Sequence, residues 1–248
     1  MEGDERMPRK TITLEMIRAN SEFRKLIDTA NRNLEAMGYT EHGLRHVGYV
    51  SKTTANVLSE LGYDARTVEI GAIAGWLHDV GNAVNRKHHA ISGATIAYSA
   101  LTRMHMEVEE IATIIGAIGN HEEETGKPVS PVSAALIIAD KSDAHRSRVR
   151  KDRFDAGDIH DRVNMAIKKN TLVVDKQKRK IRLMIYMDET SSAMEYLQIY
   201  LSRIVLCEEA AAYLGCVFEL VINGAVINRQ KPVATNPLEA GEKEVSEE

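Results

Sequence analysis

Apolar positions recur at helical spacing through roughly the first 142 residues and at strand spacing beyond about residue 170. The pattern alone therefore divides the chain into a long helical part and a smaller mixed part. Leu14, Ile17, Phe23, Leu26, Ile27, Leu34 and Met37 share a helical period that stops at Gly38, a residue suited to a helix C-terminus. A second helix is predicted over Leu44 to Leu61, closed by Gly62. Asp64 is placed to cap a third, whose buried face of Val68, Ile70, Ile73, Ala74 and Leu77 runs as far as Gly81. Lys87 to Arg103, Glu107 to Asn120 and Pro131 to Ser142 keep the same period.

After residue 170 the period changes. Leu172 to Asp175 and Lys180 to Tyr186 read as two strands joined by the polar turn Lys176-Gln177-Lys178-Arg179. Ser192 and Glu195 form a capping-box pattern that opens a helix continuing to Leu214 and ending at Gly215. Cys216 to Ile222, Asn223-Gly224 and Ala225 to Asn228 predict a hairpin, because Asn-Gly supplies the positive φ angles of a two-residue turn. The expectation is a mainly α chain: a helical bundle over 11–168, then a small α+β unit (β-β-α-β-β) over 169–230. Residues 231–248, with Pro232, Pro237 and repeated Glu, are expected to form a disordered acidic tail.

Composition narrows the class. With 248 residues, 44% of them hydrophobic and 27% charged, the chain can bury a core without staples, which excludes wholesale disorder and a disulfide-dense scaffold. Cys207 and Cys216 are expected to be reduced, buried thiols. The net charge of -4 and 5% aromatic content give no footprint for tight nucleic-acid binding, so a small-molecule partner is expected. No apolar run reaches the length of a membrane span, and Met1 to Arg6 lack the apolar stretch of a signal peptide, so a cytoplasmic location without membrane attachment is the expectation.

The histidines are unevenly placed. Six of nine fall between His42 and His105, and the pair His78-Asp79 closes an apolar helix. A helix-terminal histidine beside a turn-forming aspartate explains that pair on its own. The same pair also suits a divalent metal, since it offers an imidazole nitrogen and a carboxylate oxygen together. His46, His89, His121 and Asp140 lie on or at the ends of the other predicted helices, and Asp140 follows Leu136-Ile137-Ile138-Ala139, where an uncompensated buried carboxylate costs several kcal/mol.

His46, His78-Asp79 and Asp140 on successive helices resemble the pattern of the HD-domain metal-dependent phosphohydrolases, over about residues 20 to 150. Three further features resemble the dinuclear branch that includes the diadenosine tetraphosphate hydrolases: His89 four residues before Gly93-Ala94, His121 after Ala117-Ile118, and Asp140-Lys141 with Arg146 six residues beyond the Asp. The resemblance implies an HD-domain-like helical bundle and a two-metal site bridged by Asp79, with His46, His78 and Asp140 on one ion and His89 and His121 on the other. Asp79 and His78 are then the residues nearest the chemistry. The mixed nitrogen and oxygen donors suit two divalent ions, Fe or Mn first and Co, Ni or Zn next, rather than Mg. Such a pair lowers the pKa of a shared water and presents hydroxide to phosphorus, which implies hydrolysis of a phosphoester or phosphoanhydride in a nucleotide or related small phosphate.

The chain departs from that pattern at Asn82, where many relatives carry Lys; Arg86 or Lys87 is the candidate replacement cation. His42 lies four residues before His46, so either is a candidate first ligand; His46 is preferred because Val50 reproduces the family's spacing, which leaves His42 as a substrate contact or a helix-start residue. Among Arg146, Arg148, Arg150, Lys151 and Arg153, the first two are near enough in sequence to Asp140 to clamp phosphate, Arg146 foremost, and Lys141 joins them as a candidate substrate contact. Glu122 occupies the place of a further acidic ligand in some relatives, against the plainer reading of Glu122-Glu123-Glu124 as a solvated loop. Two other functions fit the same residues: an idle metal- or nucleotide-bound sensor or scaffold, and a di-iron oxygenase of the same superfamily. The helix from Ser192 leaves room for a homodimer without requiring one.

Overall fold

Asn20 divides the first predicted helix in two. The computed structural model describes residues 11–228 apart from Lys151 and Arg153; the expectations for Met1 to Arg6, for residues 231–248 and for Lys151 and Arg153 therefore lie outside the described residues. Within them, α1 is Leu14–Ala19 and α2 is Ser21–Ala36. Asn20 adopts an extended backbone, and its side-chain oxygen accepts from Glu22 N at 2.8 Å, so it caps α2. A short polar side chain that bonds its own backbone competes with the helix, and apolar periodicity does not register that competition.

α3 (Leu44–Leu61) ends at Gly62, whose φ of 88° is the left-handed closure read from sequence. α4 (Ala65–Leu77) starts where Asp64 accepts from the backbone of Arg66 and Thr67. It ends four residues before Gly81; His78 is its C-cap, and Val80–Ala83 form a separate 3-10 turn. α5 (His89–Arg103) begins after His88, which has a φ of 61°, and is followed by α6 (Val108–Gly119) and α7 (Pro131–Lys141). α7 is buried on every side from Val132 to Ala139 and packs against α3, α4, α6 and the later α9 (Ala193–Tyr213), so it is the central helix.

The contact between α3 and α4 is a close approach of backbones. A Cβ built on Gly75 would lie 2.7 Å from Ser51 Cα and 2.8 Å from Ser51 N, atoms that cannot rotate away. Gly75→Ala is accordingly expected to destabilise the fold by about 1–3 kcal/mol, read as a lower midpoint in chemical denaturation.

A 3-10 turn (Arg146–Arg148) and α8 (Ile159–Ala166), which the periodicity did not reveal, lead into the sheet. The strands are β1 (Ile167–Asp175), β2 (Lys180–Met187), β3 (Val217–Ile222) and β4 (Ala225–Val226), in spatial order β1-β2-β3-β4. β1 pairs antiparallel with β2, Leu172 opposite Leu183, and starts five residues earlier than the apolar run suggests because Lys168, Lys169 and Asn170 pair as well or flank a bulge. β2 pairs parallel with β3, with α9 as the crossover; both halves of the Ser192/Glu195 capping box are formed. Asn223 and Gly224, with φ of 49° and 84°, make the β3–β4 turn. The molecule is thus mainly helical, with a small four-stranded sheet. One continuous apolar cluster runs from Phe23, Leu77 and Leu136 to Leu183, Tyr196 and Phe218, and α9 lies against both α7 and β3.

Candidate metal centre

The ends of helices carry the candidate ligands. His46 lies in the first turn of α3, His78 and Asp79 follow the last residue of α4, His89 opens α5, His121 lies just beyond α6, and Asp140 is in the last turn of α7. Helix C-termini leave backbone carbonyls without helical partners, and His78 and His121 use such a group. His78 Nδ1 lies 2.8 Å from Gly75 O, His121 Nδ1 2.6 Å from Ile118 O and His89 Nδ1 3.0 Å from Arg86 O, each a carbonyl three residues earlier. His46 Nδ1 instead faces Asp143 Oδ2 at 2.7 Å. A carbonyl or carboxylate can only accept, so each Nδ1 carries the proton and each Nε2 presents a lone pair.

Those lone pairs face one another. His46 Nε2 and His78 Nε2 are 3.2 Å apart, and His89 Nε2 and His121 Nε2 are 3.1 Å apart. With both Nδ1 atoms protonated, neither pair shares a hydrogen, so the contact is repulsive unless a cation lies between.

Carboxylates complete each set. Asp140 Oδ1 is 3.4 Å from His46 Nε2 and 3.7 Å from His78 Nε2; Asp79 Oδ2 is 3.6 Å from both. Asp79 Oδ1 turns the other way, 3.5 Å from His89 Nε2 and 3.9 Å from His121 Nε2. Ligand bonds of about 2.0–2.2 Å to a common ion put ligand atoms roughly 2.8–3.6 Å apart, so these separations are those of sets gathered around a cation, slightly expanded. These buried donors could hold metal: His46, His78 and Asp140 lie within reach of one ion, and so do His78, Asp79 and His121, with His89 Nε2 beside the latter set. All six ligand-type side chains named from the sequence come together in this way.

Electrostatics favours the metal-binding protonation states of Asp79, Asp140, His89 and His121. Burial would raise the Asp79 carboxyl, but the imidazoles of His78, His42, His89 and His46 hold it well below the usual carboxylate range. Asp140 is likewise held low against burial by Lys141, His46 and His78. Burial pushes His121 well down, with His78 and His89 adding to it, and lowers His89 too. His46 is the exception: burial and Arg148 act to lower it, and Asp140 and Asp143 outweigh them and raise it.

The surrounding residues differ in part from the sequence expectations. His42 lines the pocket but is not free to bind a metal: Nδ1 lies 2.7 Å from Thr40 O, and Nε2 accepts from Arg148 Nη2 at 2.8 Å. Lys141 lines it too, with Nζ 2.6 Å from Asp140 Oδ2. Arg148 reaches the pocket and Arg146 does not. The Arg146 guanidinium donates to Met165 O and Ile167 O and pairs with Asp188. In a 3-10 turn, residues two apart point about 240° apart, so the turn that aims Arg148 inward aims Arg146 at the start of β1. Lys87 is exposed, whereas Arg86 lines the pocket, with Nη1 3.5 Å from His89 Nε2. Glu122 Oε1 is 3.5 Å from His89 Nδ1, on the far side of the ring from the metal-facing nitrogen.

Asn82 has a structural task. Its Nδ2 donates to Asp79 Oδ1 at 2.8 Å and Asp79 O at 3.1 Å, so the residue at the departure from the family pattern orients the central carboxylate. Asp143 is a supporting residue that the sequence reading passed over. Its carboxylate takes His46 Nδ1 and both terminal nitrogens of Arg45, its carbonyl takes Arg148 Nη1, and despite burial these cations hold its carboxyl far below the usual range. Asn170 on β1 donates to Ser142 O and Ala144 O, on either side of Asp143, and so ties the sheet to this turn. The only available sequence signal was the i, i+3 spacing of Asp140 and Asp143.

No model of a known protein family matches the chain. Over 105 residues, 41% of this chain, it is 35% identical to Ribonuclease Y of Lawsonia intracellularis (strain PHE/MN1-00), of whose length it spans 18%. A crystal structure described as a predicted HD superfamily hydrolase from an uncultured Thermotogales bacterium is 24% identical, with a TM-score of 0.41 over 50% of this chain and 67% of that one. Among the described residues, no helix is long and apolar enough to cross a membrane.

Proposed function

We propose that the chain is a metal-dependent phosphohydrolase of the HD superfamily that uses two divalent ions, Fe or Mn foremost, to cleave a phosphoester or phosphoanhydride bond in a nucleotide or related phosphate. One observation carries this reading: two pairs of facing imidazole Nε2 atoms, 3.2 and 3.1 Å apart, lie on opposite oxygens of one buried carboxylate. The similarity to Ribonuclease Y over 105 residues agrees with phosphodiester chemistry and adds short RNA to the substrates worth testing.

Two ions held there would lower the pKa of a bound water and offset charge on the phosphorus in flight. The chain's own residues do the rest. The Nδ1 anchors on Gly75, Arg86, Ile118 and Asp143 fix four imidazoles, so little reorganisation is needed when charge develops. Asn82 fixes Asp79. Lys141 and Arg86 place positive charge beside the carboxylates for an incoming phosphate.

The test is a panel of nucleotides, dinucleoside polyphosphates and short RNA, assayed with protein reconstituted in Mn²⁺ or anaerobic Fe²⁺. The expected result is metal-dependent release of phosphate or nucleotide from at least one class. A protein that takes up two ions per chain, cleaves nothing and consumes oxygen with a polyol would replace this reading with the oxygenase.

A further inference from the structure

Four cations line the pocket beside the ligand set: Arg86, Lys141, Arg148 and Arg203. Their donors are not equally committed. Arg148 spends Nη1 on Asp143 O and Nη2 on His42 Nε2, while Lys141 Nζ is 2.6 Å from Asp140 Oδ2. Arg86 lies over the Tyr39 ring and turns Nη1 toward His89.

Arg203 is different. It comes from α9, beyond the stretch in which every candidate ligand lies, yet it borders the same pocket as Asp79 and Asp140. Its guanidinium lies 4.6 Å over the Tyr200 ring, and the side chain is only 22% exposed. Among the described residues it forms an ion pair with Glu123, whose Oε1 is 2.7 Å from Nε but off the N–H axis, so Nε makes no directed hydrogen bond. Among the described residues, neither Nη1 nor Nη2 donates a hydrogen bond to a protein atom. Glu123 is shared besides, lying 3.7 Å from Lys141 Nζ and accepting from Ser202 Oγ at 3.2 Å. Nε is buried without a directed partner, while the two terminal nitrogens are open to the solvent in the pocket, where an entering anion can take them in charge-assisted hydrogen bonds.

We infer that Arg203 is a substrate-binding residue: its terminal nitrogens take phosphate oxygens of the substrate, so α9 completes a pocket whose metal ligands all come from the helical part. Glu123 holds the guanidinium in place and competes with the phosphate for it. The inference rests on the phosphohydrolase reading, and the experiment separates the two.

Inorganic phosphate is titrated calorimetrically into Mn²⁺-loaded full-length protein, with metal content and thermal stability measured on every variant. Arg203→Ala is expected to weaken phosphate binding by about ten- to a hundredfold, the loss of one or two charge-assisted hydrogen bonds, with two ions per chain retained. Arg203→Lys keeps the charge but not the fork, and falls between. In turnover the loss appears as a higher KM with metal content unchanged. Glu123→Gln leaves Arg203 intact, removes its competitor and tightens phosphate binding; this variant serves where Arg203→Ala does not fold. Equal phosphate affinity in wild type and in folded, metal-loaded Arg203→Ala overturns the inference and leaves the hydrolase reading standing. Wild-type protein that binds no phosphate overturns the inference, and wild-type protein that also cleaves nothing in the substrate panel overturns both.

Discussion

On the proposed two-metal reading, Asp79→Ala is expected to abolish binding of both ions and to lower kcat/KM on whichever substrate the panel identifies by at least about a thousandfold, since the acceleration from such a site is lost as a unit. The two oxygens of this side chain serve different histidine pairs, Oδ2 facing His46 and His78 at 3.6 Å and Oδ1 facing His89 at 3.5 Å. Without it, the second pair has no carboxylate facing its Nε2 atoms, and Asp140 alone offsets charge at the first. His121→Ala is the informative contrast. It leaves His46, His78, Asp79 and Asp140 in place, so one ion should remain and the other should go. Metal analysis by mass spectrometry after gel filtration reads both outcomes. Two ions retained in Asp79→Ala would show that the carboxylate does not join the sites.

The helices were legible because their signals are local. The Asp64 cap, the Gly62 closure and the Ser192/Glu195 box each act within four residues, and all three form as read. The break at Asn20 was not legible because the apolar stripe continues across it, and α8 was not because it is short, with only Val163, Asn164 and Ala166 buried. The candidate ligands could be named because histidines and aspartates recur at the ends of several apolar helices and their spacing resembles a known family's pattern; the helix-end His78-Asp79 pair alone would not have sufficed. Their supporting residues are another matter. Whether Arg146 or Arg148 faces inward depends on the phase of a 3-10 turn, which tertiary contacts with Asp143 and β1 decide. Arg203 is more than sixty positions beyond Asp140, and nothing in the pattern of α9 distinguishes it from an exposed arginine; only the packing of α9 on α7 brings it to the pocket.

Gly81→Ala tests how the two halves of the centre are held in register. Gly81 lies in the 3-10 turn just after Asp79, and a Cβ there would sit 1.9 Å from His89 O and 2.5 Å from Gly93 N. Both are backbone atoms of α5, so no rotamer change relieves the clash. The turn that carries Asp79 must move off the helix that carries His89, or α5 must shift. Either movement separates Asp79 Oδ1 from His89 Nε2, now 3.5 Å apart, while the α3, α4 and α7 ligands of the other set are not in the path of the clash. The expected result is a loss of about 1–3 kcal/mol in stability by denaturant titration. With it should go the ion held by His89 and His121, and activity should fall by on the order of a hundredfold, the usual consequence of a reacting group displaced by about 1 Å. Gly116→Ala in α6 is the control: a Cβ there meets nothing within 4 Å, so the substitution should be neutral or stabilising by up to about 1 kcal/mol. Wild-type metal content in a folded Gly81→Ala protein would mean that α5 follows the turn as a rigid body, and that the separation of the two sets is set by the ions rather than by the close approach of Gly81 to His89.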